Sequence, residues 1–228
     1  MGAALAVCLD PAAPSVAAED DEFEPNPENP TVAFTIEGGV SGSFTVEIFL
    51  DRVPLTASNF LDLCQTGFYD GLHFHRVIPN FMAQFGCPRS RDPSDQLAGT
   101  GGPPDGSTFT NITTGEAVVR QGGCIADEHI SEDSNDVGTL SMANTGEPNT
   151  GGSQIFLNVA DNYLLDWFSD GADQHVVFGR ITSGLDVLIA VSKAAVVDDR
   201  IQDDADRRPL MPIRVTRLTV ANLAKPNA

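Results

Sequence analysis

The sequence contains little positive charge. Only two lysines and eleven arginines stand against 32 acidic residues, which gives a formal net charge of −19. No lysine or arginine precedes Arg52. A surface of this sign repels the phosphates of nucleic acids and the head groups of anionic lipids. The composition therefore argues against nucleic acid as a partner.

Long apolar runs are also missing. No segment approaches the roughly 20 apolar residues of a membrane span. The opening MGAALAVCLD has a short apolar stretch without the positive flank that a secretory signal requires. We therefore expect no signal peptide, no membrane association and a cytoplasmic location, with an organelle as the alternative.

Cysteine is scarce, and its spacing shows neither a CxxC motif nor a zinc-ligand pattern. The four cysteines lie far apart, at Cys8, Cys64, Cys87 and Cys124. Free thiols are our interpretation, and a redox-sensitive pair stays open as the alternative. His73 and His75 would point to one side of a strand, yet no third ligand is evident. We expect no bound metal and no cofactor.

The first 30 residues differ in composition from the rest. Residues 1–30 hold seven acids, five prolines and no base, so they cannot bury enough apolar area to order themselves. We interpret them as an acidic, disordered tail, with a docking arm as the alternative. We expect residues 222–228 to form a short C-terminal tail.

Alternating apolar residues predict strands after this tail. Val32, Phe34 and Ile36 precede a glycine-rich turn, and Phe44 begins a second alternating run, which together indicate a hairpin. Further strand-like segments read TLSMAN, SQIFLNV and HVVFGRI. The last predicted strand, IRVTRLTV, changes phase, so we expect a bulge near Thr216.

Two helices interrupt this β pattern. One should begin at Pro54 and end before Gly67, and the other should cover about 184–197. The glycine-rich and threonine-rich stretch 103–125 is expected to form a loop with a short hairpin through Glu116–Val119. A mainly antiparallel β domain closed into a barrel would leave no exposed sheet edge.

One arginine lies in an otherwise apolar segment. Arg76 falls within FHRVIPNFMAQFG at residues 74–86, between Phe74 and Val77. An arginine among such neighbours needs a buried acidic partner or a solvent-filled groove.

Three ordered segments resemble the cyclophilin family of peptidyl-prolyl cis-trans isomerases. They are FHRVIPNFMAQFG, TLSMANTGEPNTGGSQIFLNV and DQHVVFGRI, accompanied by GTGG at 99–102 and ADEH at 126–129. The resemblance covers about residues 31–221. It implies an eight-stranded antiparallel barrel capped by two α-helices, with a peptide groove on its outer face.

The resemblance also implies roles for individual residues. Arg76 corresponds to the catalytic arginine, and Gln84 to the polar residue beside it. The remaining positions correspond to substrate-binding residues of the proline pocket and the peptide groove: Phe81, Met82, Ala143, Asn144, Gln154, Phe156, Leu165 and His175. Leu164 corresponds to the groove tryptophan of the family, and Trp167 falls in an insertion before His175. We therefore expect weakened cyclosporin binding, because an indole N–H donor is lost.

The function implied is acceleration of rotation about Xaa–Pro bonds, which assists protein folding. The expected partners are proline-containing peptides and proteins, and the expected state is a monomer. The alternatives are a proline-peptide binding module with little turnover, or a subunit of a larger assembly.

Overall fold

The computed structural model describes residues 23–171, 174–198 and 207–223. Within these ranges the chain forms ten β-strands and two α-helices. The strands are β1 Thr31–Gly38, β2 Gly42–Ile48, β3 Arg76–Ile78, β4 Met82–Phe85, β5 Thr108–Thr110, β6 Ala117–Val119, β7 Thr139–Met142, β8 Ile155–Asn158, β9 Val177–Ser183 and β10 Ile213–Ala221; the helices are α1 Pro54–Gln65 and α2 Leu185–Ser192.

The predicted first hairpin is confirmed. Strands β1 and β2 pair so that Phe34 lies opposite Phe44, and the two rings stack with centroids 4.6 Å apart. The predicted bulge is confirmed as well. Thr35 pairs with Arg217 and Ile36 pairs with Val215, which leaves Thr216 as the extra residue of β10.

Eight strands form one antiparallel sheet in the order β10-β1-β2-β9-β7-β8-β4-β3. The segment leading into β3 closes this sheet against β10. The Phe74 amide donates to the Ile213 carbonyl at 3.0 Å, and the Gly71 amide donates to the Val215 carbonyl at 2.8 Å. The expected eight-stranded antiparallel barrel is thus present, and α1 and α2 accompany it as predicted.

Aromatic rings fill the space between the sheet and α1. Phe60 of α1 lies 5.4 Å from Tyr69 and 5.2 Å from Phe178, measured between ring centroids. The barrel and its helix therefore share one core.

The start of α1 is capped by the side chain of a distant residue, because no local side chain caps it. Glu128 accepts hydrogen bonds from the amides of Leu55 and Thr56, which the first turn leaves without helical partners.

Helix α2 is shorter than expected. The sequence predicts a helix over 184–197, but α2 ends at Ser192. Beyond it the Val197 amide donates to the Arg208 carbonyl, and the Ala195 carbonyl accepts from the Leu210 amide. Pairing with this distant segment holds the chain extended where the helix was predicted to continue.

The predicted acidic tail is too long at its C-terminal end. Phe23 packs against Phe49 with ring centroids 6.2 Å apart, and Asn29 is 3% exposed. The Asn29 amide donates to the carboxylates of Glu47 and Asp51. Residues 23–30 therefore form a strap on the barrel. The prediction for residues 1–22 lies outside the described residues, as does most of the predicted C-terminal tail.

The inserted stretch 103–125 packs on α1. Its predicted short hairpin is confirmed by the pairing of β5 with β6. Arg120 is 2% exposed and donates hydrogen bonds to Asn59 and Asp62 of α1, and its guanidinium lies over the Phe109 ring at 4.6 Å. This buried ion pair fixes the insertion to the helix.

Three cysteines lie in the described ranges, and all three are free, as our first interpretation held: Cys64, Cys87 and Cys124. Cys8 falls outside those ranges. Neither helix in the described part of the chain combines the length and apolar character needed to cross a membrane.

Candidate functional site

Strand pairing explains why an arginine follows Phe74 and His75. Arg76 lies opposite Gln84 on β4, and Gln84 lies opposite Phe156 on β8. Because side chains alternate along a strand, these three share one face of the sheet. The next row, Val77, Ala83 and Leu157, is fully buried on the other face. Arg76 therefore belongs to the outer surface of the barrel, and its apolar neighbours belong to the core.

Arg76, Gln84 and Phe156, which share the outer face of the sheet, line a groove of about 340 Å³. Nine of the eleven predicted site residues line it: Arg76, Phe81, Met82, Gln84, Ala143, Asn144, Phe156, Leu165 and His175. Gln154 lines a neighbouring pocket of about 440 Å³ that shares Gln84, Ala143 and Asn144 with the groove. Leu164 lies outside the groove lining and is 78% exposed.

On one side the groove lining continues into the neighbouring pocket. We call this continuous set the polar wall; it consists of Arg76, Gln84, Gln154 and the loop Gly99–Gly102. The Arg76 guanidinium lies 3.5 Å from the Gln84 side-chain oxygen. The Gln84 amide nitrogen donates to the Gln154 oxygen at 3.2 Å. The Gln154 amide nitrogen donates to the carbonyls of Gly99 and Gly101 at 2.8 and 2.9 Å. A continuous series of polar contacts thus connects the loop to the arginine.

A neutral histidine lies beneath the polar wall. His75 is 6% exposed, and a side chain at Gly99 would come within 3.4 Å of its ring. Burial, aided by the charge of Arg76, lowers the pKa of His75 to about 4. An uncharged imidazole therefore fills the space below the loop at neutral pH.

The opposite side, which we call the apolar wall, consists of Phe156, Leu165 and His175. The rings of Phe156 and His175 meet edge to face, with centroids 5.0 Å apart. The His175 Nδ1 atom lies 2.9 Å from the Met142 carbonyl, and the His175 amide donates to the Leu165 carbonyl at 3.0 Å. Since a carbonyl only accepts, Nδ1 carries the proton, and this contact fixes the ring.

The chain's single tryptophan is engaged away from the groove. Trp167 donates its indole N–H to the Ser131 carbonyl at 2.9 Å and stacks on His129 with ring centroids 5.1 Å apart. It therefore does not replace the indole that Leu164 lacks.

Two groove residues were not predicted from the sequence. Thr145 and Gly146 line the groove directly after Asn144. Asn144 holds this loop, because its side-chain oxygen accepts from the Gly146 amide at 3.0 Å. The only signal in the sequence was their place in the glycine-rich loop that follows β7.

The fold and the groove together define an eight-stranded antiparallel β-barrel with an exposed arginine on its outer face. A family model described as cyclophilin type peptidyl-prolyl cis-trans isomerase/CLD matches residues 31–220. The chain belongs to this family.

Individual relatives agree with this assignment. The chain is 35% identical over 179 residues to peptidyl-prolyl cis-trans isomerase-like 1 of Aspergillus fumigatus, covering 78% of this chain and 89% of the relative. It is 32% identical over 196 residues to the Arabidopsis thaliana isomerase CYP18-2, covering 85% and 96%. It is 34% identical over 217 residues to the Rhizopus delemar isomerase cyp15, where the match covers 89% of this chain but only 29% of the relative.

Solved structures show the same fold. A cyclophilin type isomerase of Cryptosporidium parvum superimposes with a TM-score of 0.63 at 25% identity, covering 85% of this chain and 98% of that one. A second structure of that protein, determined in the presence of the dipeptide Ala-Pro, gives a TM-score of 0.62, with 84% and 98% covered.

Proposed function

We propose that this chain is an active peptidyl-prolyl cis-trans isomerase that uses the groove to accelerate rotation about Xaa–Pro bonds and so assists protein folding. The observation that carries the proposal is the position of Arg76, a permanent cation that lines a groove together with apolar side chains and lies in one row with Gln84 and Phe156.

The reaction needs a hydrogen-bond donor for the prolyl nitrogen and an apolar surface that holds the proline ring. No covalent bond is made or broken. Rotation about a peptide bond has a barrier of about 18–20 kcal/mol because amide resonance must be broken. In the twisted amide the prolyl nitrogen regains a lone pair. A guanidinium that donates to this nitrogen favours the twisted state over either planar one. Arg76 supplies that donor.

The apolar residues of the groove would hold the proline ring while the preceding carbonyl turns. Of the apolar residues that line the groove, Met82 and Phe156 are buried, and Phe81 and Leu165 are partly exposed. Binding the ring on this surface leaves the preceding carbonyl next to the polar wall. Interactions that strengthen only in the twisted state raise the turnover rate rather than the affinity.

The polar wall would orient the arginine. Gln84 contacts Arg76, and Gln154 connects Gln84 to the loop Gly99–Gly102. A guanidinium held by such a series loses less conformational freedom when the substrate arrives. Ala143 and Asn144 lie between the groove and the neighbouring pocket, where an extended peptide backbone would pass.

Named relatives support the proposal. The three relatives described above carry the name peptidyl-prolyl cis-trans isomerase, and the Cryptosporidium parvum protein was studied with a proline dipeptide. We infer that this chain likewise binds proline-containing peptides.

A protease-coupled isomerisation assay on an Xaa–Pro peptide tests the proposal. We expect a first-order rate that increases linearly with protein concentration above the spontaneous rate. Binding of the same peptide in an NMR titration, without acceleration, would instead establish the binding-module alternative. Such a result would overturn the proposed activity.

A further inference from the structure

Next to the apolar wall, three large side chains face solvent. Tyr163, Leu164 and Phe168 are 56%, 78% and 40% exposed. Exposed apolar residues that occur singly need no explanation, but neighbouring ones mark interaction surfaces. We call these three residues the ledge.

The backbone around the ledge is held firmly. Asp166 is 3% exposed and accepts hydrogen bonds from Ser134 and from both the backbone and the side chain of Asn135. Trp167, fixed by His129 and Ser131, supports the Phe168 ring edge to face at a centroid distance of 5.6 Å. The ledge is therefore preorganised, so a ligand would lose little free energy in ordering it.

The ledge is continuous with the groove. Tyr163 and Leu164 belong to the same 3-10 turn as Leu165, which lines the groove. The residue before His175 also contacts the groove lining. The Gln174 carbonyl accepts from the Asn144 side chain at 2.8 Å. A peptide that leaves the groove past Leu165 and His175 would thus reach the ledge directly.

Carboxylates border the ledge. Asp161 precedes Tyr163 by two residues, and its carboxylate accepts from the amide of Val137, the residue that follows Asp136, at 3.0 Å. Both carboxylates raise the pKa of the Tyr163 hydroxyl. The Arg180 guanidinium lies 4.0 Å from the Asp136 carboxylate. The charge of the whole chain is also strongly negative. An apolar surface with this border is complementary to an apolar side chain next to a basic one.

We propose that the ledge binds the client segment flanking the proline on the side of Leu165 and His175, and that it favours a large apolar residue next to a lysine or arginine. This inference rests on the proposed isomerase function of the groove. It adds a substrate preference that the groove residues do not supply.

Isomerisation of short peptides, followed by NMR exchange without a protease, tests the preference. The reference peptide has alanines on both sides of the proline. Two others carry leucine and lysine on one side or the other, and a fourth replaces that lysine with glutamate. We expect kcat/KM to be about fivefold higher than for the reference with one of these two peptides, the one whose leucine and lysine reach the ledge, and unchanged with the other. The glutamate peptide should lose part of this gain, and added salt should reduce the contribution of lysine.

Matched variants connect the gain to the ledge. The ratio to follow is kcat/KM for the leucine–lysine peptide divided by kcat/KM for the reference peptide. Phe168→Ser and Asp161→Asn should each lower this ratio from about five to about two or less. Leu210→Ser and Glu116→Gln remove an exposed leucine and an exposed acid outside the groove lining, and they should leave that ratio unchanged.

The outcomes separate the two proposals. If no peptide is isomerised, the proposed function fails. If the reference peptide is isomerised but neither flank gives a gain, or if the control variants abolish the gain as fully as Phe168→Ser does, the ledge proposal is overturned and the proposed function stands.

Discussion

The two walls of the groove are built in opposite ways. The polar wall is a series of side-chain amides that leads from backbone carbonyls to Arg76. The apolar wall is held by a ring contact and by hydrogen bonds to the backbone carbonyls of Met142 and Leu165. The difference suggests a division of work. The polar wall would set the orientation of the charge, and the apolar wall would set the shape that holds the ring.

The largest effect we expect on stability concerns the base of the polar wall. The folded protein keeps His75 neutral down to about pH 4, whereas an unperturbed histidine protonates near 6.5. Between these values the unfolded chain binds more protons, so the unfolding free energy falls as the pH falls. The loss should be about 2–3 kcal/mol from about pH 6.5 to about pH 4.5.

Denaturant unfolding of the wild type and of His75→Gln at both pH values checks this. Carboxylates titrate in both proteins, so the difference between them isolates the histidine. Equal losses in the two proteins would show that His75 does not carry the effect.

Removing the central hydrogen bonds of the polar wall should lower isomerase activity. Gln154→Leu removes the donor to Gly99 and Gly101 and the acceptor for Gln84. We expect kcat/KM to fall about ten- to thirtyfold, or about 1.4–2 kcal/mol, mainly through kcat. The volume-conserving change Leu165→Met on the apolar wall should cost less than about threefold. The reverse ranking in the isomerisation assay would contradict the division of work.

Restoring an indole beside the apolar wall should strengthen cyclosporin binding. Leu164→Trp adds the N–H donor that the chain lacks at this position, and we expect about 1–2 kcal/mol tighter binding. Leu164→Phe adds an aromatic ring without the donor and should gain less. Calorimetry on all three proteins measures this. Tight binding by the unmodified chain would mean that another group already supplies the donor.

The smallest effect concerns truncation of the N-terminal part of the chain. Deleting residues 1–22 should leave the melting temperature and the isomerase activity nearly unchanged. Deleting residues 1–30 also removes the contacts of Phe23 and Asn29, and it should lower the melting temperature by about 2–4 °C for about 1 kcal/mol lost. Scanning calorimetry distinguishes the two truncations. Equal melting temperatures would show that the strap contributes nothing.

Much of the barrel could be predicted from the sequence because its signals are local. The hairpin depends on alternation around Phe34 and Phe44, and the bulge depends on a phase change at Thr216. The outward position of Arg76 needed one further step, the resemblance of its segment to a family motif. Local pattern alone left a buried acidic partner open as an alternative.

The features that sequence reasoning missed depend on distant parts of the chain. The end of α2 is set by pairing with residues 208–210, and the packing of Asn29 is set by Glu47 and Asp51. Neither partner is visible from helical periodicity or from local composition.

Turnover by Arg76 variants tests the central claim most directly. With an Xaa–Pro peptide, Arg76→Ala should lower kcat/KM by about two to three decades, which is about 3–4 kcal/mol of transition-state stabilisation. Arg76→Lys keeps the charge but loses the forked donor, so it should fall between Ala and the wild type. The circular dichroism spectra should stay unchanged, because the side chain is exposed on the groove rim. Near-wild-type turnover by a folded Arg76→Ala protein would contradict the account.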